Sequence, residues 1–217
     1  RIPGVKRPGL AVAIPVKNGR CVLLDIGANA DCKPEYLLQF AIMGSVYAEK
    51  ALSVSNPRVG LLSNGEEPGK GNLLVKETYP LLAASGLNFI GNVEGKEFFG
   101  GRADVVVTDG FSGNVLLKSS EAVAKLLTDL IREEISSSPI TAVGGLLARP
   151  AFRKVRKLLD TAEHGAGPLL GVNGLVFIGH GRSNARALVS AIRVARQAVA
   201  GNVLEAMRAG LMERLPH

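Results

Sequence analysis

The feature that most constrains this chain is a repeated alternation. Short β-branched and apolar runs alternate with longer amphipathic ones, and a turn rich in Gly, Asn or Asp follows each short run. The order strand, polar turn, helix builds α/β domains with a largely parallel sheet, because two parallel strands need a helix-length crossover between them. The spacing predicts strands at 11–15, 21–26, 58–62, 87–90, 104–108 and 175–178. Helices are predicted at 34–52, 70–84, 113–135 and 183–211, several opened by a proline or a capping residue. With 217 residues, 47% of them hydrophobic, the chain can bury a genuine core.

In open α/β sheets, ligands bind outside the carboxyl ends of the strands, where loops and helix N-termini converge. Here those ends read Asp25-Ile26-Gly27-Ala28-Asn29, Ser63-Asn64-Gly65-Glu66-Glu67, Gly91-Asn92-Val93-Glu94-Gly95, Thr108-Asp109-Gly110 and Gly179-His180-Gly181. A tight turn explains any one of these glycines. Asn or Asp beside Gly at nearly every end points to one shared site.

The chemistry that such a site can carry narrows by elimination. Cys21, Cys32 and three scattered His do not form a metal-ligand set, and the Gly-x-Ser-x-Gly nucleophile elbow is absent. So are the phosphate loop ending in Gly-Lys-Ser/Thr and the glycine-rich dinucleotide fingerprint. What remains is Asn, Lys, Asp and Glu near helix starts, suited to positioning an anion. Lys33 precedes Pro34, the expected first residue of a helix, where an ammonium adds to the dipole that favours phosphate. The bland alternative is an exposed surface lysine.

The formal charge of +7 favours an acidic partner. Aromatic residues at 5%, without Trp, offer little for stacking on bases, so no nucleic acid partner is expected. No apolar run is long enough for a membrane span, and the chain opens on no signal-peptide pattern, so a cytoplasmic location is expected.

One segment, 140–159, departs from the alternation. Val143, Leu146, Leu147, Ala151, Val155, Leu158 and Leu159 recur at helical spacing beside Arg149, Arg153, Lys154, Arg156 and Lys157. Pro150 is expected to divide it into two short helices. Spacing alone favours a packed hairpin with a solvated basic face over an element lying on a membrane surface.

The strand-end motifs, with Asp31-Cys32-Lys33-Pro34-Glu35, Met43-Gly44-Ser45 and Phe111-Ser112-Gly113-Asn114, closely resemble the PlsX phosphate acyltransferase family, in order and along essentially the whole chain. The resemblance implies a three-layer α/β/α fold with a mostly parallel sheet, similar to phosphotransacetylases and to the isocitrate and isopropylmalate dehydrogenases. It implies that residues 1–217 form a single catalytic region, the C-terminal two-thirds of a longer chain that opens on a Gly-rich strand segment. The activity implied is conversion of acyl-acyl-carrier-protein and inorganic phosphate into acyl phosphate for phospholipid synthesis. No cofactor is expected. A glycerol-3-phosphate acyltransferase would be the downstream consumer. A homodimer and peripheral association with an anionic membrane are also implied, the latter through Leu146, Leu147, Arg149, Arg153 and Lys154, which reverses the preference drawn from spacing.

For the chemistry itself the expected catalytic residues are Lys33, Asn92 and His180, the last protonating or orienting the leaving thiol. Expected phosphate or substrate contacts are Asn29, Asn64, Glu66, Lys70, Asn72, Glu94, Asp109, Gly113 and Asn114, with Asp109 and Glu94 orienting lysines and asparagines. Where the family has an Asn-Ile-Gly-Glu-like turn, this chain reads Ser63-Asn64-Gly65-Glu66. The rival readings are a phosphate acetyl- or butyryltransferase using coenzyme A, and a non-catalytic scaffold that binds membrane or carrier protein. A decarboxylating NAD-dependent dehydrogenase rests on fold analogy alone.

Overall fold

The computed structural model describes residues 1–17, 19–159, 165–179, 181 and 183–215, with 156–159 as helical backbone only. Seven strands form one sheet in the order β4-β3-β5-β2-β1-β6-β7. These are β1 (Gly9–Val16), β2 (Gly19–Leu24), β3 (Val59–Leu62), β4 (Phe89–Val93), β5 (Val105–Val107), β6 (Ala166–Leu170) and β7 (Phe177–Gly179). The helices are α1 (Pro34–Leu52), α2 (Leu73–Ala83), α3 (Gly95–Gly100), α4 (Gly110–Ser136), α5 (Pro139–Leu159), α6 (Ala185–Ala200) and α7 (Val203–Arg214). Strands β2, β5, β3 and β4 pair in parallel, whereas β1, β6 and β7 are added by antiparallel pairing. Following directions through the ladder, β2 to β6 all point one way and β1 and β7 the other. The sheet is therefore mixed and mostly parallel, as the alternation predicts.

Side-chain alternation divides the sheet into two cores. Val22, Leu24, Val59, Leu61, Val105 and Val107 face α1, α2, α6 and α7. Cys21, Leu23, Val93 and Val106 face the other way, joined by Ile14, Val16 and Phe98 of α3, with Leu116 and Leu117 of α4 packed beside them. Strands β2 and β5 read as unbroken apolar runs because both of their faces are covered.

Helix α1 is the keystone of the first face. It begins on Pro34 and ends at Ser53, which takes a left-handed conformation at φ 60°. Gly44 lets it approach the sheet, since a Cβ there would lie 2.7 Å from Val105 Cγ1. Its buried Gln39 clamps the first residues of the chain, accepting from the Lys6 N–H at 2.8 Å and donating to the Gly4 carbonyl at 3.0 Å.

Several expectations are corrected. Helix α5 runs through Pro150 instead of breaking there. Proline removes one donor, and on an exposed helix the carbonyl freed at 146 is open to solvent at low cost. The predicted helix 183–211 is two, parted where Asn202 turns left-handed at φ 52°, with Gly201 seated against the Lys50 carbonyl at the end of α1. Strand β6 and helix α3 were not anticipated. Helices α4 and α5 pack as a hairpin, brought close where Gly145 meets Ile135.

At the amino-terminal edge of the sheet, Arg58 holds Asp104 with both ends of its guanidinium, at 2.9 Å each, and reaches the Gly101 carbonyl at 3.2 Å. The side-chain hydrogen bonds from Arg58 hold the Asp104 carboxyl below the usual aspartate range. A depressed carboxylate contributes stability that is fully present above its unfolded pKa, about 3.9, and is lost as pH falls through its folded value. Asp104→Asn should therefore lower the melting temperature at pH 7, and the gap from the parent chain should close as the pH is taken below about 3.9. A gap of constant size across thermal melts from pH 7 to pH 2.5 would show that Asp104 acts through packing alone.

Candidate functional site

The carboxyl ends of β4, β3, β5 and β2 lie side by side along one edge, so the loops that follow them converge there. Helices α1 and α2 leave β2 and β3 toward one face, whereas α3 and α4 leave β4 and β5 toward the other. Loops that part to opposite faces open a crevice between neighbouring strands, which is where α/β sheets bind ligands. Strand β5, with its loop running into α4, lies between β3 and β2 and so has such a boundary on both sides. The fifth expected end does not join them. Strand β7 runs opposite to β2, and Gly179 pairs with Ala166 at the start of β6, pointing away from this edge. His180 and Arg182 lie outside the described residues, as do the side chains of Arg156, Lys157, Leu158 and Leu159.

On the β2 side, a fully buried carboxylate organises the loop. Asp25 Oδ1 accepts the N–H groups of Leu10, Gly27 and Ala28 at 3.0–3.1 Å, and Oδ2 accepts the Asn29 N–H and Nδ2 at 2.8 Å. Asn29 Nδ2 also reaches the Pro8 carbonyl at 2.7 Å, so this side chain ties the turn together. Gly27 at φ 138° is needed to close it. The turn then seats on α4: the Gly110 N–H donates to the Asn29 carbonyl at 2.7 Å, and a side chain at Gly113 would overlap the Asp25 carbonyl. Asp109 caps α4, accepting from the Ser112 N–H at 2.7 Å and its hydroxyl at 2.8 Å, while the Gly113 N–H returns to the Asp109 carbonyl.

These bonds have a chemical consequence. The N–H groups of residues 27–29, 110, 112 and 113 point to partners within the chain. These amides are therefore not free to meet an anion at this edge. Lys33 is exposed at the cap of α1, and its side chain makes no capping bond. Asn114 is exposed one turn into α4, beside Gly27.

Cys32 is half-buried near the Asn29 carbonyl, and burial pushes its thiol up to about 11. It is protonated near neutral pH and is no nucleophile there.

On the β3 side, residues 64–72 arch over the sheet edge. Asn72 caps α2 by accepting the Val75 N–H at 3.0 Å. The Lys70 stem lies across Gly65, where a Cβ would come within 2.7 Å of Lys70 Cγ. Asn64 is exposed in the same loop. Glu66 reaches Lys96 at 3.2 Å and Arg102 at 3.1 Å, Lys96 also holds Glu94 at 3.1 Å, and Arg102 pairs with Glu97. The Lys96 hydrogen bond, then that of Arg102, draws the Glu66 carboxyl below its ordinary range. Glu66 and Glu94 thus face cations of the α3 region, in exposed pairs that each contribute little. Asn92 is 1% exposed and donates from Nδ2 to the Glu67 carbonyl at 2.8 Å.

The sequence reasoning brought Asn29, Lys33, Lys70, Asn72, Asn92, Asp109, Gly113 and Asn114 to one edge, and the structure places them there. It missed Asp25 as the organiser. An Asp opening a Gly- and Asn-containing turn was the available signal, since a short carboxylate can gather its own loop's amides. Among the described residues no cluster of three or more His, Cys, Asp and Glu is arranged to hold a metal.

A phosphate acyltransferase from Acidobacterium capsulatum is 50% identical over 208 residues, covering 96% of this chain and 62% of that protein. One from Aquifex aeolicus is 53% identical over 191 residues, covering 88% and 57%. The chain thus spans about three-fifths of the length of the curated relatives it matches. Among solved structures, a branched-chain phosphotransacylase from Enterococcus faecalis shares the fold, with TM-score 0.55 at 15% identity over 88% of this chain and 64% of that one. A family model described as "Fatty acid synthesis protein" matches residues 1–206, and the chain belongs to that family.

Proposed function

We propose that this chain forms the phosphate-handling part of an acyl-acyl-carrier-protein:phosphate acyltransferase. The observation that carries the reading is the single edge at which Lys33 and Lys70, each just ahead of a helix, converge with Asn114 and the capped start of α4. The name phosphate acyltransferase borne by relatives about half identical to the chain supports the same reading.

The reaction asks little of a base. Phosphate is already a competent nucleophile near neutral pH, and thiolate is a good leaving group. An oxygen of hydrogen phosphate attacks the thioester carbonyl, the C–S bond breaks, and the phosphate proton ends on the carrier protein's thiol. Acyl phosphate and free thiol result, with atoms and charge balanced. The protein's contribution is to hold two reactants in line and to meet the oxyanion. Lys33 and Lys70 supply charge to the phosphate, and Asn114 supplies a donor. An acidic carrier protein suits the charge of +7, and the acyl phosphate would pass to a glycerol-3-phosphate acyltransferase.

We further propose a cytoplasmic homodimer that associates peripherally with anionic membrane through the α4–α5 hairpin. No helix among the described residues is long and apolar enough to cross a membrane. The hairpin instead exposes Leu126, Leu127, Ile140, Val143, Leu146 and Leu147 beside Arg149, Arg153 and Lys154.

Two measurements test these readings on the full natural chain. Phosphate-dependent loss of acyl-carrier-protein thioester should exceed that of acyl-coenzyme A, and the reverse preference would identify an acetyl- or butyryltransferase. Lys33→Met and Lys70→Met should each lower turnover by roughly 10²-fold, with stability changed by no more than about 0.5 kcal/mol, because both side chains are exposed. Near-normal turnover in saturating phosphate would make either lysine a surface residue.

For the membrane, Leu146→Glu with Leu147→Glu should release the protein from anionic vesicles while soluble-substrate activity survives. Burying two leucines contributes roughly 3 kcal/mol or more, against about 1 kcal/mol for one basic residue, so the apolar change should outweigh any single charge change. If the double variant instead loses its dimer and still floats with vesicles, the hairpin is a packing element.

A further inference from the structure

We infer that Asn92 is a positioning residue, holding the loop that carries Lys70 through the carbonyl of Glu67. The inference rests on reading this edge as a phosphate site, and it moves Asn92 from contact with reactants to support of a residue that makes such contact. Asn92 pairs with Leu61 across β4 and β3, so the two side chains share a sheet face, and residues 64–72 roof it over. At 1% exposure it offers reactants no surface while that roof is seated.

The connection to Lys70 runs through one atom. The Glu67 carbonyl accepts Asn92 Nδ2 at 2.8 Å and also the Lys70 N–H at 3.0 Å. The same oxygen therefore joins a side chain rooted in the sheet to the backbone of the lysine. The Lys70 stem is steadied in turn by the bare backbone of Gly65. Beyond it, Gly71 takes φ 100° and passes above Ser63, whose hydroxyl would lie 3.2 Å from a Cβ at Gly71.

How the carboxamide is used supports this assignment. Its donor is engaged, but Asn92 Oδ1 is buried with no partner among the described residues, and Ser63 Oγ is in the same condition. The work of Asn92 passes through Nδ2 to the loop. The other tie on this loop, the Glu66 pairs with Lys96 and Arg102, is exposed and weak.

The test is a double-substitution cycle on the full natural chain, with inorganic phosphate as the varied reactant and amide hydrogen exchange as a second readout. Asn92→Leu keeps the volume and removes the donor. It should raise the KM for phosphate about tenfold and leave the KM for the acyl thioester within about twofold. Exchange at the Lys70 and Gly71 amides should rise about tenfold, with the amides of α1 unchanged. In a Lys70→Met background the same substitution should alter phosphate KM less than about twofold, because nothing remains to be positioned.

Additive effects in the cycle, or a kinetic defect with exchange at Lys70 unchanged, would overturn the inference. If Asn92→Leu does not fold, Asn92→Ser, too short to reach the Glu67 carbonyl, carries the same expectations. Exchange is read without any reaction. A parent chain with no phosphate-dependent activity, in which Asn92→Leu still loosens Lys70, would therefore refute the functional reading and leave the loop-holding role standing.

Discussion

The carboxylate of Asp25 is the interaction on which the functional edge depends. It sits fully buried at the end of a central strand and gathers four backbone N–H groups and the Asn29 side chain. A buried carboxylate is costly unless it is hydrogen-bonded, so these donors hold the turn in this conformation. One of the four donors, from Leu10, belongs to β1, so the same carboxylate ties the antiparallel part of the sheet to the parallel part. The turn in turn covers the start of α4, where Gly110 and Gly113 leave room for its backbone.

That economy shapes the chemistry. A helix N-terminus is ordinarily a ready anion site because its first amides are free. Here the Gly110 and Ser112 amides at the start of α4 are spent on Asn29 and Asp109. The edge keeps the dipoles of its helices, and the two lysines ahead of α1 and α2 add positive charge beside them. Each lysine rides on a loop held from within, the first by Asp25 and the second by Asn92. A rigid sheet thereby positions flexible side chains at its rim.

The two faces of the sheet are covered unequally. Helix α1 is buried nearly all round, beneath α2, α6 and α7. On the other face α4 buries Gly110 and Gly113 at its start and then departs with α5, exposing a long apolar stripe beside basic residues. Exposed apolar surface on this scale marks an interaction site, which accords with the proposed dimer and membrane contacts.

Much of this was legible in the residues. The bounds of α1 followed from Pro34 and an unbroken helical period, and the strands from short apolar runs closed by Gly, Asn and Asp, because those signals are local. What escaped was long-range. The Ala-Gly-Pro-Leu-Leu run of β6 has no strand pattern of its own and is made a strand by pairing with β1 and β7. Helix α3 is too short to show a period. The break between α6 and α7 falls at left-handed Asn202, where Gly201 seats against the Lys50 carbonyl at the end of α1. The reversal of β7, which carries Gly179 away from the other strand ends, comes from its pairing partner. Sequence by itself determined most of the elements, the family and the polar residues of the strand ends, since period and turn chemistry are written in neighbouring positions. Only the tertiary structure decided which of those residues stay exposed and which hold their neighbours, because Asp25 and Asn92 bond backbone groups that the fold alone brings to them.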